Sequence, residues 1–516
     1  MRWRHLQTDQ ARTLEPTATE EAEGDKPASW RIVAKSIFSF PVVCYSMLAL
    51  AVLHWSAKDI AEHDIWWHML NARYFFQNHG LPRVDMYSFT AVGSPWLDHE
   101  WLSEIVFYLG YRSFGLRGLL AVYFVILLLI FAGVYYRATR ISGNCKNAII
   151  ATAFGVMLAV VNIGPRLILL GWLCMVGLLL VLDYFPETGK GLWILPPLFA
   201  LWINFHGSWI YGIAVFVVTI ASGFLSGEWG LVNARRWSRA ELKKLFISLA
   251  ASLAALFVNP FGYRLLLYPF DMLFRQQSNL KHMQEWQSID FADGNGKLAM
   301  ILILGLLAAL WFSRRRWRLD EVVLAAFALW GALSHVRLLF FAALILVPLL
   351  APYVNLFSPY EKELEKPWLN AIIIIIIIGS LYFYPSQARL QQRVAATLPV
   401  DAVNFMKNQH LSGKVFNSHG WGGYMEWYVP DLKPFVDGRT DIFVYNGVFD
   451  DYGKIVLLQR TFELLDQYKI DFVLYEPDQP LSYLLDRSPQ WQRIYADSVA
   501  KVYRRAPAPA APSQAP

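Results

Sequence analysis

The sequence predicts a polytopic α-helical membrane protein of about eleven transmembrane helices, followed by a small C-terminal α/β soluble domain. Three observations predict this fold class. Of the 516 residues, 56% are hydrophobic and only 17% are charged, which is too apolar for a soluble domain of ordinary composition. Apolar runs long enough to cross a bilayer recur along most of the chain. After residue 385 the pattern changes to the short alternating elements of a soluble domain.

The two chain ends are predicted to be disordered. Residues 1–30 are polar, and we interpret them as a disordered cytoplasmic tail instead of a cleavable signal peptide. Residues 506–516 form an Ala/Pro tail of low complexity. The three cysteines, Cys44, Cys145 and Cys174, lack the spacing of a metal site and are expected to be packing residues.

A transmembrane domain is predicted over residues 31–390. A bilayer core about 30 Å thick needs about 20 mostly apolar residues per helix. The stretches that qualify run approximately over residues 37–57, 117–136, 147–163, 166–184, 192–206, 209–226, 245–259, 298–312, 320–334, 337–355 and 369–385. Only His206, Gly207 and Ser208 separate the fifth and sixth stretches, which leaves open two helices or one bent or re-entrant element.

Positively charged loops determine the predicted orientation. Lys and Arg cluster in alternate loops, for example from Arg314 to Arg318, and cytoplasmic loops carry such an excess. The N-terminus is therefore expected inside, with two long outer loops at residues 58–116 and 260–297. The soluble domain at residues 395–505 then also lies outside, and the protein is expected in a bacterial inner (plasma) membrane. Because the net charge of +6 arises from these clusters, nucleic-acid binding is not expected.

The soluble domain is predicted from an alternation of short elements. In order, they are a helix at 401–410, strands at 414–416 and 434–436, an amphipathic stretch at 449–469, a strand at 470–475 and a hairpin at 493–503. Such an alternation is typical of a small α/β domain.

The first outer loop is the densest chemical segment of the sequence. Acids, imidazoles and indoles interleave in it, at Glu62, His63, Asp64, Trp66, Trp67 and His68 and again at Asp98, His99 and Glu100. If residues 62–76 are helical, Asp64 and His68 share one face, where the carboxylate orients the imidazole or both hold a metal. Trp66 and Trp67 suit either the apolar side of a sugar or the membrane interface.

Asp64 is the first candidate for a catalytic base. A partly desolvated carboxylate has a pKa raised towards neutrality, and it can then deprotonate an acceptor hydroxyl. Asp98 and Glu100 are competing catalytic candidates, and the alternative for both is a role at the start of the helix near Trp101. No cofactor is certain, and a divalent metal held by Asp64, His68, Asp98 or His99 stays open.

Further polar residues lie at the predicted outer ends of the spans or in other outer segments. Ionisable groups near lipid are costly and usually serve a partner or a function. The alternative is that they snorkel or bind lipid headgroups. Substrate binding is expected from His63, Trp67, His68, His99, Arg166, His206, Glu285, Arg337, Asp437, Arg439 and Asp441. Among them, Arg439 is expected to act as an anion clamp, and the alternative for Asp437 is a turn cap.

The architecture and four sequence stretches resemble the GT-C class of membrane glycosyltransferases, which includes protein O-mannosyltransferases, the lipid A aminoarabinose transferase and oligosaccharyltransferases. The stretches run from His63 to His68, from Leu81 to Asp85, from Asn204 to Gly207 and from Val436 to Asp441. The chain looks similar to a bacterial group of GT-C-like proteins. These enzymes carry an essential Asp early in the first long outer loop, where this chain has Asp64. A WWD-type motif is missing from the C-terminal domain, which argues against an oligosaccharyltransferase.

The resemblance implies a GT-C-like membrane glycosyltransferase that moves a sugar from a polyprenyl-phosphate donor to a protein, lipid or glycan acceptor at the outer face. In that reaction Asp64 would deprotonate the acceptor, and Arg166 or Arg337 would neutralise the departing lipid phosphate. Two alternatives stay open: a transporter or flippase of lipid-linked saccharide, and a non-catalytic envelope assembly protein. The long outer loops and the outer domain fit an enzyme better.

Overall fold

A computed structural model describes residues 36–56, 62–159, 164–275, 284–312, 315–354, 356–381 and 385–507. The predicted tail at residues 1–30 and nearly all of the Ala/Pro tail lie outside this part of the chain. The membrane-side helices are α1 (Phe40–Ser56), α2 (Ile65–Asn78), α3 (Trp101–Ser142), α4 (Cys145–Ala159), α5 (Ile168–Thr188), α6 (Leu195–Phe205), α7 (Trp209–Ser222), α8 (Arg239–Ala255), α9 (Tyr263–Arg275), α10 (Gly294–Phe312), α11 (Leu319–Ser334), α12 (Leu339–Leu350) and α13 (Pro367–Leu381).

Each predicted apolar stretch overlaps a helix in the described part of the chain. Among the residues that the structure describes, four helical segments can cross a membrane by length and composition, namely Trp101–Ser142, Ile168–Thr188, Gly294–Phe312 and Val336–Tyr353. Shorter apolar helices accompany them at Phe40–Ser56, Cys145–Ala159, Leu192–Phe205, Trp209–Ser222 and Pro367–Ser380. The chain is therefore an integral membrane protein, and its number of membrane crossings stays a prediction.

The long helix α3 has a kink that separates its first part, which belongs to the predicted outer loop, from its apolar part. Phe114 and Gly115 have non-helical dihedral angles, and Gly115 has a φ of 60°. A Cβ on Gly118 would lie only 1.9 Å from the carbonyl oxygen of Gly110, so the backbone approach at the kink requires glycine. The predicted span at 117–136 begins directly after this kink.

Helices α6 and α7 are two separate helices. His206 ends α6 with an extended backbone, at φ −168° and ψ 149°. Helix α7 begins only at Trp209. The backbone N–H of Ser208 donates to Nδ1 of His206 at 2.9 Å, which fixes the imidazole at the junction. The sequence left open whether this segment is one bent element or two helices. The structure contains two helices with an oriented histidine between them.

The C-terminal segment folds around a five-stranded sheet of strand order β5-β4-β6-β8-β7. Strand β4 is parallel to β5 and β6, whereas β8 is antiparallel to β6 and β7. The strands are β4 (Gly413–Asn417), β5 (Leu432–Pro434), β6 (Phe472–Tyr475), β7 (Trp491–Ala496) and β8 (Lys501–Arg505), and the other sheet contains β1 (Gly227–Trp229), β2 (Val232–Ala234) and β3 (Trp317–Arg318). Every residue of β6 is buried, as is typical of a central strand covered on both faces.

Short helices surround this sheet. They are α14 (Gln387–Ala395), α15 (Val400–Asn408), α16 (Gly422–Tyr428), α17 (Thr440–Tyr445), α18 (Val448–Val456), α19 (Thr461–Gln467) and α20 (Pro480–Leu485). The amphipathic stretch predicted at 449–469 is divided between α18 and α19. The division lies near Leu458, whose φ of 59° is left-handed and cannot continue a helix.

The first long loop attaches the C-terminal segment to the membrane helices. The backbone N–H of Phe89 donates to the carbonyl oxygen of Pro434 on the edge strand β5, at 3.3 Å. The Thr90 hydroxyl donates to the carbonyl oxygen of Phe435 at 2.6 Å. Trp66 is only 2% exposed, and its ring lies edge-on to that of Tyr424, with 5.1 Å between centroids. Trp66 is thus a packing residue, which corrects both sequence interpretations of it.

Candidate active site

A cavity of about 540 Å³ lies between the membrane helices, the first long loop and the C-terminal segment. Its apolar wall includes Ile168, Ile210, Phe327, Trp330 and Phe341 from helices α5, α7, α11 and α12. Eleven of the fourteen predicted site residues line it, namely Asp64, Trp67, His68, His99, Glu100, Arg166, His206, Glu285, Arg337, Arg439 and Asp441. The fold brings these distant positions together in the lining of one largely apolar cavity.

Asp64 lies immediately before helix α2, against the C-terminal segment. A Cβ on Gly438 would be 1.9 Å from Oδ1 of Asp64 and 2.7 Å from Nε1 of Trp67, so only glycine leaves room for the carboxylate. Burial and the Glu62 carboxylate raise the pKa of Asp64 to about 7, although the Arg166 guanidinium opposes this shift. A carboxyl group with this pKa is partly deprotonated near neutrality, which suits a general base.

Glu100 lies among three histidines. Its carboxylate oxygens are 3.1 Å from Nε2 of His206, 3.7 Å from Nε2 of His68 and 3.9 Å from Nε2 of His99. Because the Ser208 N–H donates to Nδ1 of His206, the neutral imidazole carries its proton on Nε2 and donates it to Glu100. Burial raises the pKa of Glu100 to about 8 and lowers the pKa of His99 to about 4. Glu100 is therefore largely protonated at neutral pH.

The carboxylate that orients His68 belongs to Glu104. Oε1 of Glu104 is 2.8 Å from Nδ1 of His68 and accepts a hydrogen bond from the Asn71 amide at 3.1 Å. The predicted pairing of His68 with Asp64 is wrong, because Asp64 precedes the helix and the imidazole turns towards α3. Glu104 was not predicted, although its spacing of four residues from Glu100 places both carboxyl groups on one helix face.

Asp98 is buried beside the cavity and does not line it. Its side chain accepts a hydrogen bond from the backbone N–H of Glu100 at 3.4 Å, and the residue is 1% exposed. Burial raises the pKa of Asp98 to about 6. This position corrects the prediction of a catalytic contact by Asp98 and agrees with its alternative role at the start of α3.

The predicted metal ligands do not assemble. Within the residues that the structure describes, no group of three or more His, Cys, Asp or Glu side chains has the arrangement of a metal site. The possible ligand set comprises Asp64, His68, Asp98 and His99. In this set, His68 is hydrogen-bonded to Glu104, and Asp98 is buried. Nε2 of His206 carries a proton, so that imidazole is not available as a ligand through this atom either.

A second polar group of the cavity contains two arginines. Nε of Arg166 donates to Glu62 at 2.9 Å, and its Nη1 donates to Oε2 of Glu285. Nη1 of Arg337 is 3.6 Å from Oε1 of Glu285, and the guanidinium carbon lies 4.8 Å from the Trp286 ring centroid. Burial favours the neutral acid, but the Arg337 and Arg166 guanidinium groups outweigh it and lower the pKa of Glu285. Glu285 is therefore an anion shared by two cations.

Arg439 is the centre of a buried ion cluster. Its Nη2 lies 2.5 Å from Asp437, 2.7 Å from Asp85 and 3.7 Å from Glu426. The side chain is 1% exposed, and three carboxyl groups surround it, so the prediction of an anion clamp is wrong. Asp437 is fully buried and does not line the cavity, and its Oδ1 accepts the backbone N–H of Arg439 at 2.8 Å. The alternative of a turn cap describes Asp437 better than substrate binding.

The remaining predicted residues divide between the cavity and its surroundings. Asp441 lines the cavity, where it accepts a hydrogen bond from the Tyr268 hydroxyl at 3.4 Å. Burial raises the pKa of Asp441 to about 6. His63 lies outside the lining, against Gly420, and this position corrects its assignment to substrate binding. Tyr268 also lines the cavity, and the sequence analysis did not identify it.

Comparison with known proteins identifies the fold. No family model and no curated protein sequence matches the chain. The archaeal oligosaccharyltransferase AglB from Archaeoglobus fulgidus, solved with an inhibitory peptide and a dolichol-phosphate, matches with a TM-score of 0.52 and 12% identity over 85% of this chain and 70% of that one. ArnT from Cupriavidus metallidurans bound to undecaprenyl phosphate matches with a TM-score of 0.51 and 13% identity, over 92% and 97% of the two chains. Both are GT-C glycosyltransferases, which confirms the predicted resemblance at the level of the fold.

Proposed function

We propose that this protein is a membrane glycosyltransferase that moves a sugar from a polyprenyl-phosphate donor to an acceptor at the outer face of the membrane. The observation that carries the proposal is the amphipathic cavity, in which an apolar wall meets a cluster of carboxyl and guanidinium groups. A lipid-linked sugar has the same division into apolar and charged parts. The lipid phosphates bound to AglB and ArnT, which share the fold, support this donor class.

The donor has a natural placement in the cavity. Its prenyl chain lies against the apolar wall, where burial of hydrocarbon is favourable. Its phosphate lies at Arg166 and Arg337, because guanidinium groups donate paired hydrogen bonds to phosphate oxygens. The sugar then extends towards Asp64 and the group around Glu100. A protonated Glu100 offers a donor and an acceptor to sugar or acceptor hydroxyl groups.

The reaction that follows is an inverting displacement. Asp64 removes the proton of an acceptor hydroxyl, and the acceptor oxygen attacks the anomeric carbon on the face opposite the phosphate. The bond between the anomeric carbon and the phosphate oxygen breaks, and its electron pair remains on the lipid phosphate. Arg166 and Arg337 stabilise the charge that develops there. The products are the glycosylated acceptor, the polyprenyl phosphate and a protonated Asp64.

The topology of the proposal follows from the charged loops. With the N-terminus in the cytoplasm of a bacterial cell, the cavity and residues 395–505 face the outer side of the inner membrane. The C-terminal domain covers the cavity and contributes Gly438, Thr440 and Asp441 to its lining.

The experiment compares the wild type with Asp64→Asn as full-length protein in lipid nanodiscs. Release of undecaprenyl phosphate is measured from a panel of undecaprenyl-phosphate sugars, with envelope extract as the source of acceptors. Loss of the base is expected to slow release by about 10²–10⁴-fold. Asp431→Asn, an exposed carboxylate on the C-terminal segment, is the matched control and is expected to retain wild-type release. Equal release by Asp64→Asn, or transport of the lipid without release, would contradict the proposal.

A further inference from the structure

We propose that Glu285 occupies the phosphate subsite of the donor-free protein and competes with the lipid phosphate for Arg166 and Arg337. The inference rests on the proposed function and deepens it. It assigns to Glu285 the control of affinity for the phosphate product.

The geometry is that of an anion site filled by a side chain of the same protein. One oxygen of Glu285 accepts from Nη1 of Arg166, and the other lies 3.6 Å from Nη1 of Arg337. Carboxylate and phosphate oxygens use the same guanidinium donors. A phosphate bound to both arginines must therefore replace the Glu285 carboxylate, because the two anions use the same guanidinium donors.

The surroundings of Glu285 permit this exchange. The carbonyl oxygen of Trp286 lies 2.8 Å from Nδ1 of His335, and the Val336 N–H donates to the carbonyl oxygen of Gln287 at 3.1 Å. These contacts hold the backbone beside Glu285 on the turn that also carries Arg337. The carboxylate itself is 31% exposed to the cavity. Rotation about its side-chain bonds moves it away while the backbone stays in place.

Glu62 differs from Glu285 in its contacts. Glu62 accepts from Nε of Arg166 at 2.9 Å and is only 16% exposed, so it orients this guanidinium from the side. Both carboxylates line the cavity, but Glu285 contacts Arg166 and also lies near Arg337, and it is the more exposed of the two. Of the two carboxylates, Glu285 is thus the competitor of the phosphate, and Glu62 remains in place when the phosphate binds.

The charges of substrate and product give the competition a consequence. A sugar-phosphate diester carries one negative charge, whereas a phosphate monoester carries about −1.5 to −2 near neutrality. Without a competitor, the arginine pair retains the more highly charged product more strongly than the donor. When the lipid phosphate leaves, the Glu285 carboxylate again neutralises Arg166 and Arg337. This exchange favours departure of the lipid phosphate.

The test measures binding of undecaprenyl phosphate to full-length wild type and Glu285→Gln in nanodiscs, with undecaprenol as the ligand that lacks the phosphate. Glu285→Gln is expected to bind undecaprenyl phosphate about fivefold more tightly, because a competing, partly exposed ion pair is removed. Its affinity for undecaprenol is expected to stay unchanged. Inhibition of sugar transfer by added undecaprenyl phosphate is expected to strengthen by the same factor.

Two further variants make the result specific. Glu187→Gln removes a carboxylate paired with Arg140 on another part of the bundle and is expected to bind like the wild type. Arg337→Gln is expected to weaken binding of undecaprenyl phosphate and to leave undecaprenol binding unchanged.

The outcomes separate this inference from the proposed function. Unchanged or weaker binding of undecaprenyl phosphate by a stably folded Glu285→Gln overturns the competition, while the difference between phosphate and alcohol persists in the wild type. The phosphate site itself is overturned if the wild type binds undecaprenyl phosphate no more tightly than undecaprenol and Arg337→Gln binds both ligands like the wild type. The proposed function then fails with it.

Discussion

At the scale of single residues, burial controls the chemistry of the cavity more than direct ion pairing does. Burial is the first cause of the raised pKa values of Asp64, Glu100 and Asp441, which are about 7, 8 and 6. Glu285 lies in the same cavity, but two arginines lower its pKa. Carboxyl groups with different protonation states therefore line one site. Different carboxyl groups can then serve as acid, as base and as partner of the arginines.

The raised pKa of Asp64 predicts a pH dependence of sugar transfer. The base acts only when deprotonated, so the rate is expected to rise with pH through about 7 and to be about tenfold lower at pH 6 than on the alkaline plateau. Glu62→Gln removes a negative charge that raises this pKa and is expected to shift the rising limb to lower pH.

The measurement is a rate profile for release of undecaprenyl phosphate at saturating donor between pH 5 and pH 9. Glu100→Gln removes the carboxyl group whose raised pKa of about 8 lies next to that of Asp64, and the rising limb is expected to persist in this variant. A limb that disappears in Glu100→Gln, or one that lies near the ordinary pKa of aspartate in the wild type, would assign the base to another group.

At the scale of elements, the long apolar runs of the sequence predicted the helices, because a helix that crosses lipid needs a continuous apolar segment. Helix α5 was expected at 166–184 and is found at Ile168–Thr188. The kink at Gly115 was not predicted, since one glycine in an apolar stretch does not reveal its dihedral angles. Strand β5 begins two residues before its predicted position, because its pairing with β4 decides its register.

The sequence also indicated many side chains of the site, because ionisable residues at the ends of apolar segments are uncommon. It could not reveal their partners. Asp437 and Arg439 were predicted to bind substrate, but Arg439 is buried in an ion pair with Asp85 from a distant segment. Glu104 and Tyr268 lie in helices whose overall pattern is apolar or amphipathic, so their orientation towards the cavity follows only from tertiary packing.

The loop between β5 and α17 is predicted to hold Asp64 in position through Gly438. Gly438→Ala places a methyl group within 1.9 Å of the Asp64 carboxylate, and the short Asp side chain must move. Sugar transfer is expected to fall by tenfold or more, because small displacements of a catalytic group are costly. The matched control is Gly453→Ala in α18, where a Cβ meets no atom within 4 Å. Wild-type release by a folded Gly438→Ala would show that this contact does not position the base.

At the scale of the whole molecule, the C-terminal segment belongs to the candidate active site. It contributes Gly438, Thr440 and Asp441 to the cavity lining. Phe89 continues the hydrogen bonding of edge strand β5, and Asp85 contributes to the ion cluster around Arg439. These contacts join the first long loop to the sheet on one side of Asp64. The position of Asp64 therefore depends on both parts of the chain.

The cluster around Arg439 predicts how strongly the two parts are coupled. Arg439→Gln leaves Asp85, Asp437 and Glu426 buried without their cation, and loss of one partner from a buried ion pair typically costs about 3–5 kcal/mol. A loss of about 3 kcal/mol corresponds to roughly a hundredfold faster amide exchange by local opening. Hydrogen exchange monitored by mass spectrometry over residues 83–96 and 432–440 measures this change.

The matched control for this coupling is Arg460→Gln, which removes an exposed partner of Glu463 and is expected to leave exchange unchanged in both segments. If Arg439→Gln accelerated exchange in residues 432–440 alone, the cluster would stabilise only the C-terminal segment. Acceleration in both segments, together with loss of sugar transfer, is the expected result, because the loop that carries Asp85 and the loop that carries Gly438 meet at the same guanidinium. In that case the buried arginine acts on catalysis by holding the two walls of the Asp64 site together.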